Sequence, residues 1–262
     1  MNYLKYTQLL NFEIGDKCNL TKAHPECPSN APRPPGRELT DEVILEIVKE
    51  IYEEQEFRGF IAWHFYNEPL LQAERIFNLM EQIGKDFPNS RFLLWTNCTI
   101  LPKDDRVELF EQVYCTDYLD VGIEKLYECY KTAGWFGYKG GKNIILDERF
   151  EDPPEEKHYE RCLRPMIEFI IDNNGEVHFC CYDWSNLVKV GNIWEESLEE
   201  ILEKREVLSR KVCGKQMSED APERCLRCQF REDNPATSDF DKIIANEASQ
   251  KYESEDEYSQ NK

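Results

Sequence analysis

Residues 60–99 read FIAWHFYNEPLLQAERIFNLMEQIGKDFPNSRFLLWTNCT, which is strand, helix and strand in one unbroken stretch. Phe60–Tyr66 and Arg91–Thr96 are apolar runs of strand length. Gln72–Lys85 between them carries its apolar residues at helical spacing. Both strands run into polar segments, Asn67-Glu68-Pro69 after the first and Asn97-Cys98-Thr99 after the second. Strand–helix–strand units build a parallel sheet through right-handed crossovers, and function in such sheets gathers beyond the C-terminal strand ends.

The same alternation continues on both sides. Gln8–Ile14 reads as an earlier strand, and Thr40 as the N-cap of a helix through about Glu54, with Val43, Ile44, Ile47, Val48 and Ile51 on one face. Downstream, Asp104–Val113 reads as a helix, and Tyr118–Ile123 and Asn143–Leu146 as strands. After Asp147 the pattern changes. Residues 151–156 (EDPPEE) read as a linker, Met166–Ile171 and Glu176–Cys181 flank the hairpin signal Asp172-Asn173-Asn174-Gly175, and residues 197–209 form a capped helix. The chain therefore predicts an α/β fold at 1–150, a small hairpin-plus-helix domain at 151–232, and an acidic, disordered tail at 233–262.

A net charge of −20 argues against a nucleic-acid partner, whose phosphates call for Lys and Arg. No stretch approaches the roughly 18–20 apolar residues of a membrane span, and the N-terminus lacks the features of a signal peptide. The expectation is a soluble cytoplasmic protein. Eleven cysteines are then unusual, because in a reducing compartment grouped cysteines point to metal or catalysis rather than to disulfides. Cys98, Cys115 and Cys129 lie in apolar contexts and read as small buried hydrophobes.

Six cysteines are grouped. Cys162 and Cys180 flank the hairpin, and Cys225-Leu226-Arg227-Cys228 has the two-residue spacer that lets both thiolates reach one centre. Four converging thiolates fit an iron–sulfur cluster or a zinc ion. Cys181 is an alternative to Cys180, although Cys180 fits the spacing from Gly175; Cys213 reads as a bystander. Near the start, Cys18-Asn19-Leu20 follows the first strand and Cys27-Pro28 closes the same loop.

These features resemble the radical S-adenosylmethionine (SAM) superfamily over about residues 8–230. Residues 162–228, with the phrases IDNNGEVHFCC and GNIWEESLEEIL, are similar to the single-cluster "twitch" form of the SPASM domain. The resemblance implies a partial (β/α)6 barrel and an auxiliary 4Fe-4S cluster on Cys162, Cys180, Cys225 and Cys228. It also implies a SAM site at Asn67-Glu68-Pro69, where the family has Gly-Glu-Pro, and at Thr96-Asn97, where it has Thr-Asn-Gly-Thr; Glu124 is a candidate for the ribose. Within the superfamily, the layout is most like that of a twitch-bearing dehydrogenase that oxidises an amino-cyclitol alcohol.

The first loop departs from the family's Cys-x3-Cys-x2-Cys. Counting forward from Cys18, the second ligand position holds Lys22; counting back from Cys27, it holds His24. His24 is either a third ligand of a second 4Fe-4S cluster, with imidazole replacing thiolate, or a loop histidine. Two functions follow. One is an oxidoreductase that uses a 5′-deoxyadenosyl radical to abstract hydrogen from a small-molecule or peptide substrate, with a flavodoxin or ferredoxin as reductant. The other is a degenerate, non-catalytic iron–sulfur binding or electron-transfer partner. No catalytic side chain is singled out.

Overall fold

The computed structural model describes residues 3–22, 27–32, 35–100, 102–118, 134–139 and 156–228. Within them lies one eight-stranded sheet: β1 (Leu9–Phe12), β2 (Phe60–Ala62), β3 (Arg91–Thr96), β4 (Phe110–Asp117), β5 (Gly134–Lys139), β6 (Glu168–Ile171), β7 (Glu176–His178) and β8 (Gly191–Asn192). Its order is β5-β4-β3-β2-β1-β6-β7-β8. The strands from β5 across to β6 are all parallel; β7 and β8 are added antiparallel.

The alternation of residues along the strands sorts them between two faces. Leu10, Phe12, Ile61, Trp63, Phe92, Leu94, Val113, Cys115, Phe169 and Ile171 belong to a single buried core. Helices α1 (Asp41–Glu54) and α2 (Ala73–Asp86) contribute Ile44, Ile47, Val48 and Ile51, and Ile76, Phe77, Leu79, Met80 and Ile83, to that core. Thr40 starts α1 as expected: its side chain accepts a hydrogen bond from the Val43 N–H, and Asp41 and Glu42 sit in the first turn, where the helix dipole favours acids. The other face of the sheet carries Asn11, Glu13, His64, Trp95 and Tyr114 together with the small or apolar Ala62, Leu93 and Ile170.

The strand ends are trimmed relative to the sequence reading, and two elements differ in kind. Asp104–Val113 is not a helix. A short 3-10 turn at Asp105–Leu109 runs directly into β4, which begins at Phe110 rather than at Tyr118. Val107 and Phe110 mimic helical spacing, but Val113, Tyr114 and Thr116 favour the pleated surface, and the strand is paired on both sides. Arg106 pins the turn through Asp104 and Glu74.

Met166–Ile171 is likewise not a single strand. Pro165 opens a one-turn helix, Arg164–Ile167, and only Glu168–Ile171 is extended. That strand makes the expected hairpin with β7, turned by Gly175 at φ +82°, and its other edge pairs in parallel with β1. The sheet is thus continuous from the N-terminal strands into the cysteine-rich segment. Glu13 reinforces the join, accepting from the Tyr66 N–H on one side and the Asn173 N–H on the other. The helix expected at 197–209 is Leu198–Cys213, with a full capping box between Ser197 and Glu200. Residues 143–146, His24, Glu124, Cys129 and the tail lie outside the described residues.

Candidate functional site

Three loops leaving the C-terminal ends of β1, β2 and β3 meet at one cavity, lined among others by Cys18, Cys27, His64, Tyr66, Glu68 and Asn97. Glu68 is the knot. It is 2% exposed, and its Oε1 accepts from Thr96 Oγ1 (2.9 Å) and the Leu70 N–H (3.1 Å). Its Oε2 accepts from the Asn97 N–H (2.8 Å), and its own N–H donates to the Lys17 carbonyl beside Cys18. Burial pushes the Glu68 pKa up, and these hydrogen bonds oppose the rise. Since Oε2 accepts one bond, it keeps a lone pair for a ligand.

Asn97 ties the third loop to the first: Nδ2 approaches Cys18 Sγ (3.6 Å) and donates to Asn19 Oδ1 (2.8 Å). Burial raises the Cys18 thiol, and the N–H groups of Leu20 and Asn97 that face its sulfur act the other way. Asn67 lines the cavity but spends its side chain on the backbone, donating to the Ile14 carbonyl and accepting from the Phe65 N–H. Pro69 is buried at the start of the next turn and is not in the lining.

Cys98 has φ +67°, the left-handed region that favours glycine, the residue usual at this position in the resembled family. Cys98 and Cys115 are buried in the core, as their apolar contexts implied; Cys98 follows the end of β3, Cys115 lies on β4, and their Cα atoms are 5.7 Å apart.

Aromatic rings form the rest of the wall. His64 packs on Trp95 (4.7 Å between centroids), and Trp95 stacks on Tyr114 (4.4 Å). Burial depresses the His64 pKa to about 3, so its imidazole is neutral, and among the described residues its Nδ1 has no hydrogen-bond partner. Tyr66 reaches out of this cavity: its hydroxyl donates to the Cys181 carbonyl at 2.6 Å. Phe65 likewise meets His178, which is held between Asp172 Oδ2 and the Asp183 carbonyl.

Cys180, the neighbour of Cys181, lines a second, more enclosed cavity. Cys162, Cys180, Cys225 and Cys228 all line it, with Arg164, Arg224, Asp183 and His158. Cys181 and Cys213 do not; Cys181 Sγ lies against the Arg164 guanidinium (3.4 Å), and Cys213 is buried in the core. Pro222 caps the turn that presents Cys225, and the Cys162 N–H is fixed to the Val212 carbonyl. Burial lifts the Cys162 thiol to about 11 and raises Cys180 and Cys225 further, with neighbouring cysteines adding to the rise. Such a group of thiols becomes thiolate only against compensating positive charge, which a metal centre supplies. Among the described residues no three His, Cys, Asp or Glu side chains converge tightly enough for a single metal ion. The four cysteines share the lining of one cavity.

Residues 162–229 match the family model of an iron–sulfur cluster-binding domain, SPASM. That segment is similar to a SPASM domain, and the fold of the chain is similar to that of BtrN. The fold assignment rests on BtrN, whose crystal structure with AdoMet and 2-DOIA superposes with a TM-score of 0.61 at 17% identity, covering 79% of this chain and 87% of that one. BtrN in an open conformation gives 0.56 at 17% identity, covering 90% and 91%. Among curated proteins, the S-adenosyl-L-methionine-dependent 2-deoxy-scyllo-inosamine dehydrogenase of Niallia circulans is 21% identical over 245 residues, 86% of this chain and 93% of its own length. Tyr66, Arg164 and Glu168 carry no functional signal of their own in the sequence, and the Asp172–His178 pairing is not legible from the hairpin motif that contains it. They become visible once β6 is known to lie beside β1.

Proposed function

We propose that the chain is a radical SAM oxidoreductase, in which the six parallel strands form a partial (β/α)6 barrel and the SPASM domain is of the twitch form. In this reading the first cavity takes a 4Fe-4S cluster and SAM. Cys18 and Cys27 hold the cluster, with His24 as third ligand, and Asn67, Glu68, Pro69, Thr96, Asn97 and Glu124 surround SAM. Cys162, Cys180, Cys225 and Cys228 hold an auxiliary 4Fe-4S cluster. Bound in the first cavity, the cluster and SAM supply a 5′-deoxyadenosyl radical that abstracts hydrogen from a small-molecule or peptide substrate.

The observation that carries this reading is the Glu68 knot. The buried Glu68 carboxylate ties the end of β3 to the segment after β2 and keeps a lone pair for an ammonium group, while the Glu68 backbone N–H ties that segment to the Lys17 carbonyl beside Cys18. Asn97 holds the Cys18 sulfur from the side. The stacked His64–Trp95–Tyr114 rings offer an aromatic surface to a substrate. Tyr66 links the first cavity to the Cys181 carbonyl, next to Cys180 of the second. For the second cavity, the match of residues 162–229 to an iron–sulfur cluster-binding domain favours a cluster over zinc. A flavodoxin or ferredoxin is the expected reductant.

The test is spectroscopic. Anaerobically reconstituted protein should show two cluster signals in electron paramagnetic resonance, with SAM perturbing the one that is lost in Cys18→Ala. A single cluster, untouched by SAM, would favour the degenerate, non-catalytic reading instead.

A further inference from the structure

Arg164 and Glu168 form a largely buried ion pair at the edge of the second cavity, with no ligand role in the reading above. Their side chains are 15% and 10% exposed, and Arg164 Nη1 donates to Glu168 Oε1 at 2.8 Å. The two ends of the pair face differently. The guanidinium lies on the wall of the four-cysteine cavity, against Cys181 Sγ (3.4 Å) and over the Tyr182 ring (4.7 Å). The carboxylate is outside that lining and turns its second oxygen to the Cys181 N–H (3.2 Å). The cavity therefore sees the positive end first. Arg224 adds a second cation to the wall, and Asp183 the one carboxylate among the lining residues.

Burying such a pair is costly, and replacing it with apolar residues is often neutral for stability. A charge beside a redox centre does have a direct effect, because one-electron reduction adds a negative charge that a nearby cation stabilises more than the oxidised state. We propose that the Arg164–Glu168 pair sets the reduction potential of the cluster in the second cavity, with Arg164 raising it and Glu168 tempering that rise. The inference rests on the reading of the four cysteines as cluster ligands. It makes Arg164 and Glu168 positioning residues that act through the field and the Cys180-Cys181 turn rather than as ligands.

The experiment uses the full chain reconstituted anaerobically with iron and sulfide, its C-terminal signal identified as the one lost in Cys225→Ala/Cys228→Ala. A potentiometric titration with dithionite is then followed by electron paramagnetic resonance. Arg164→Gln should lower the midpoint, making one-electron reduction roughly tenfold less favourable, about 59 mV. Glu168→Gln should raise it, and Arg164→Lys should shift it less than Arg164→Gln does. Loosening that merely admits water would move both glutamine variants the same way, so opposite signs are the signature. Midpoints that do not move, or that move together, overturn the inference while leaving the cluster in place. Should the Arg164 variants lose iron, Glu168→Gln decides alone, a rise supporting the proposal and no rise overturning it. Wild type without a C-terminal cluster overturns the underlying reading and this inference with it.

Discussion

Replacing Glu68 tests the organisation of the first cavity without any cofactor. In Glu68→Ala three donors, Thr96 Oγ1 and the N–H groups of Leu70 and Asn97, lose their acceptor in a buried site. Glu68→Gln keeps the shape but cannot satisfy all three. With the amide oxygen toward Leu70, the new NH2 faces the Asn97 N–H; with the amide turned over, the Leu70 N–H is orphaned. One buried N–H without a partner costs about 1–3 kcal/mol. For a chain of this size each kcal/mol moves the melting temperature by about 2–4 °C. Glu68→Gln should therefore melt roughly 2–12 °C below wild type, and Glu68→Ala lower still. The assay is urea and thermal unfolding of the apo protein, with iron binding to the second cavity as a control. If both variants unfold at the wild-type midpoint, Glu68 is not the tie between the strand ends, and the case for its role in the site fails with it.

Three further outcomes are expected. Cys225→Ala/Cys228→Ala should remove about four irons from reconstituted protein; zinc filling the site in anaerobic preparations, with iron unable to compete, would contradict the cluster assignment. His24→Ala should abolish the first cluster signal and spare the auxiliary one, and unchanged iron content would exclude His24 as a ligand. Gly175→Ala should destabilise by about 1–2 kcal/mol or more: its φ is +82°, and the added Cβ would lie 2.7 Å from the Trp194 ring. A urea midpoint within error of wild type would show that the turn relaxes easily.

The elements legible in the sequence were those with a strong local signal. α1 has its Thr40 cap and a clean apolar face, and the helix at 198–213 has the Ser197–Glu200 box. Motifs at strand ends gave the parts of the first cavity, and the spacing of Cys162, Cys180, Cys225 and Cys228 gave the lining of the second. What the sequence hid depends on tertiary pairing. Phe110–Asp117 is a strand because β3 and β5 lie beside it, and its helix-like spacing could not reveal that. Glu168–Ile171 reads as one arm of a hairpin, and nothing local says that its far edge joins β1. That pairing brings Cys181 to Tyr66, and with it the link between the two cavities.

The most direct test of the account is the fate of SAM. Reconstituted protein carrying both clusters, reduced with dithionite and incubated anaerobically with SAM, should release 5′-deoxyadenosine, and Cys18→Ala should release none. Protein that holds both clusters and binds SAM, yet yields no 5′-deoxyadenosine above the Cys18→Ala background, would contradict the enzyme reading.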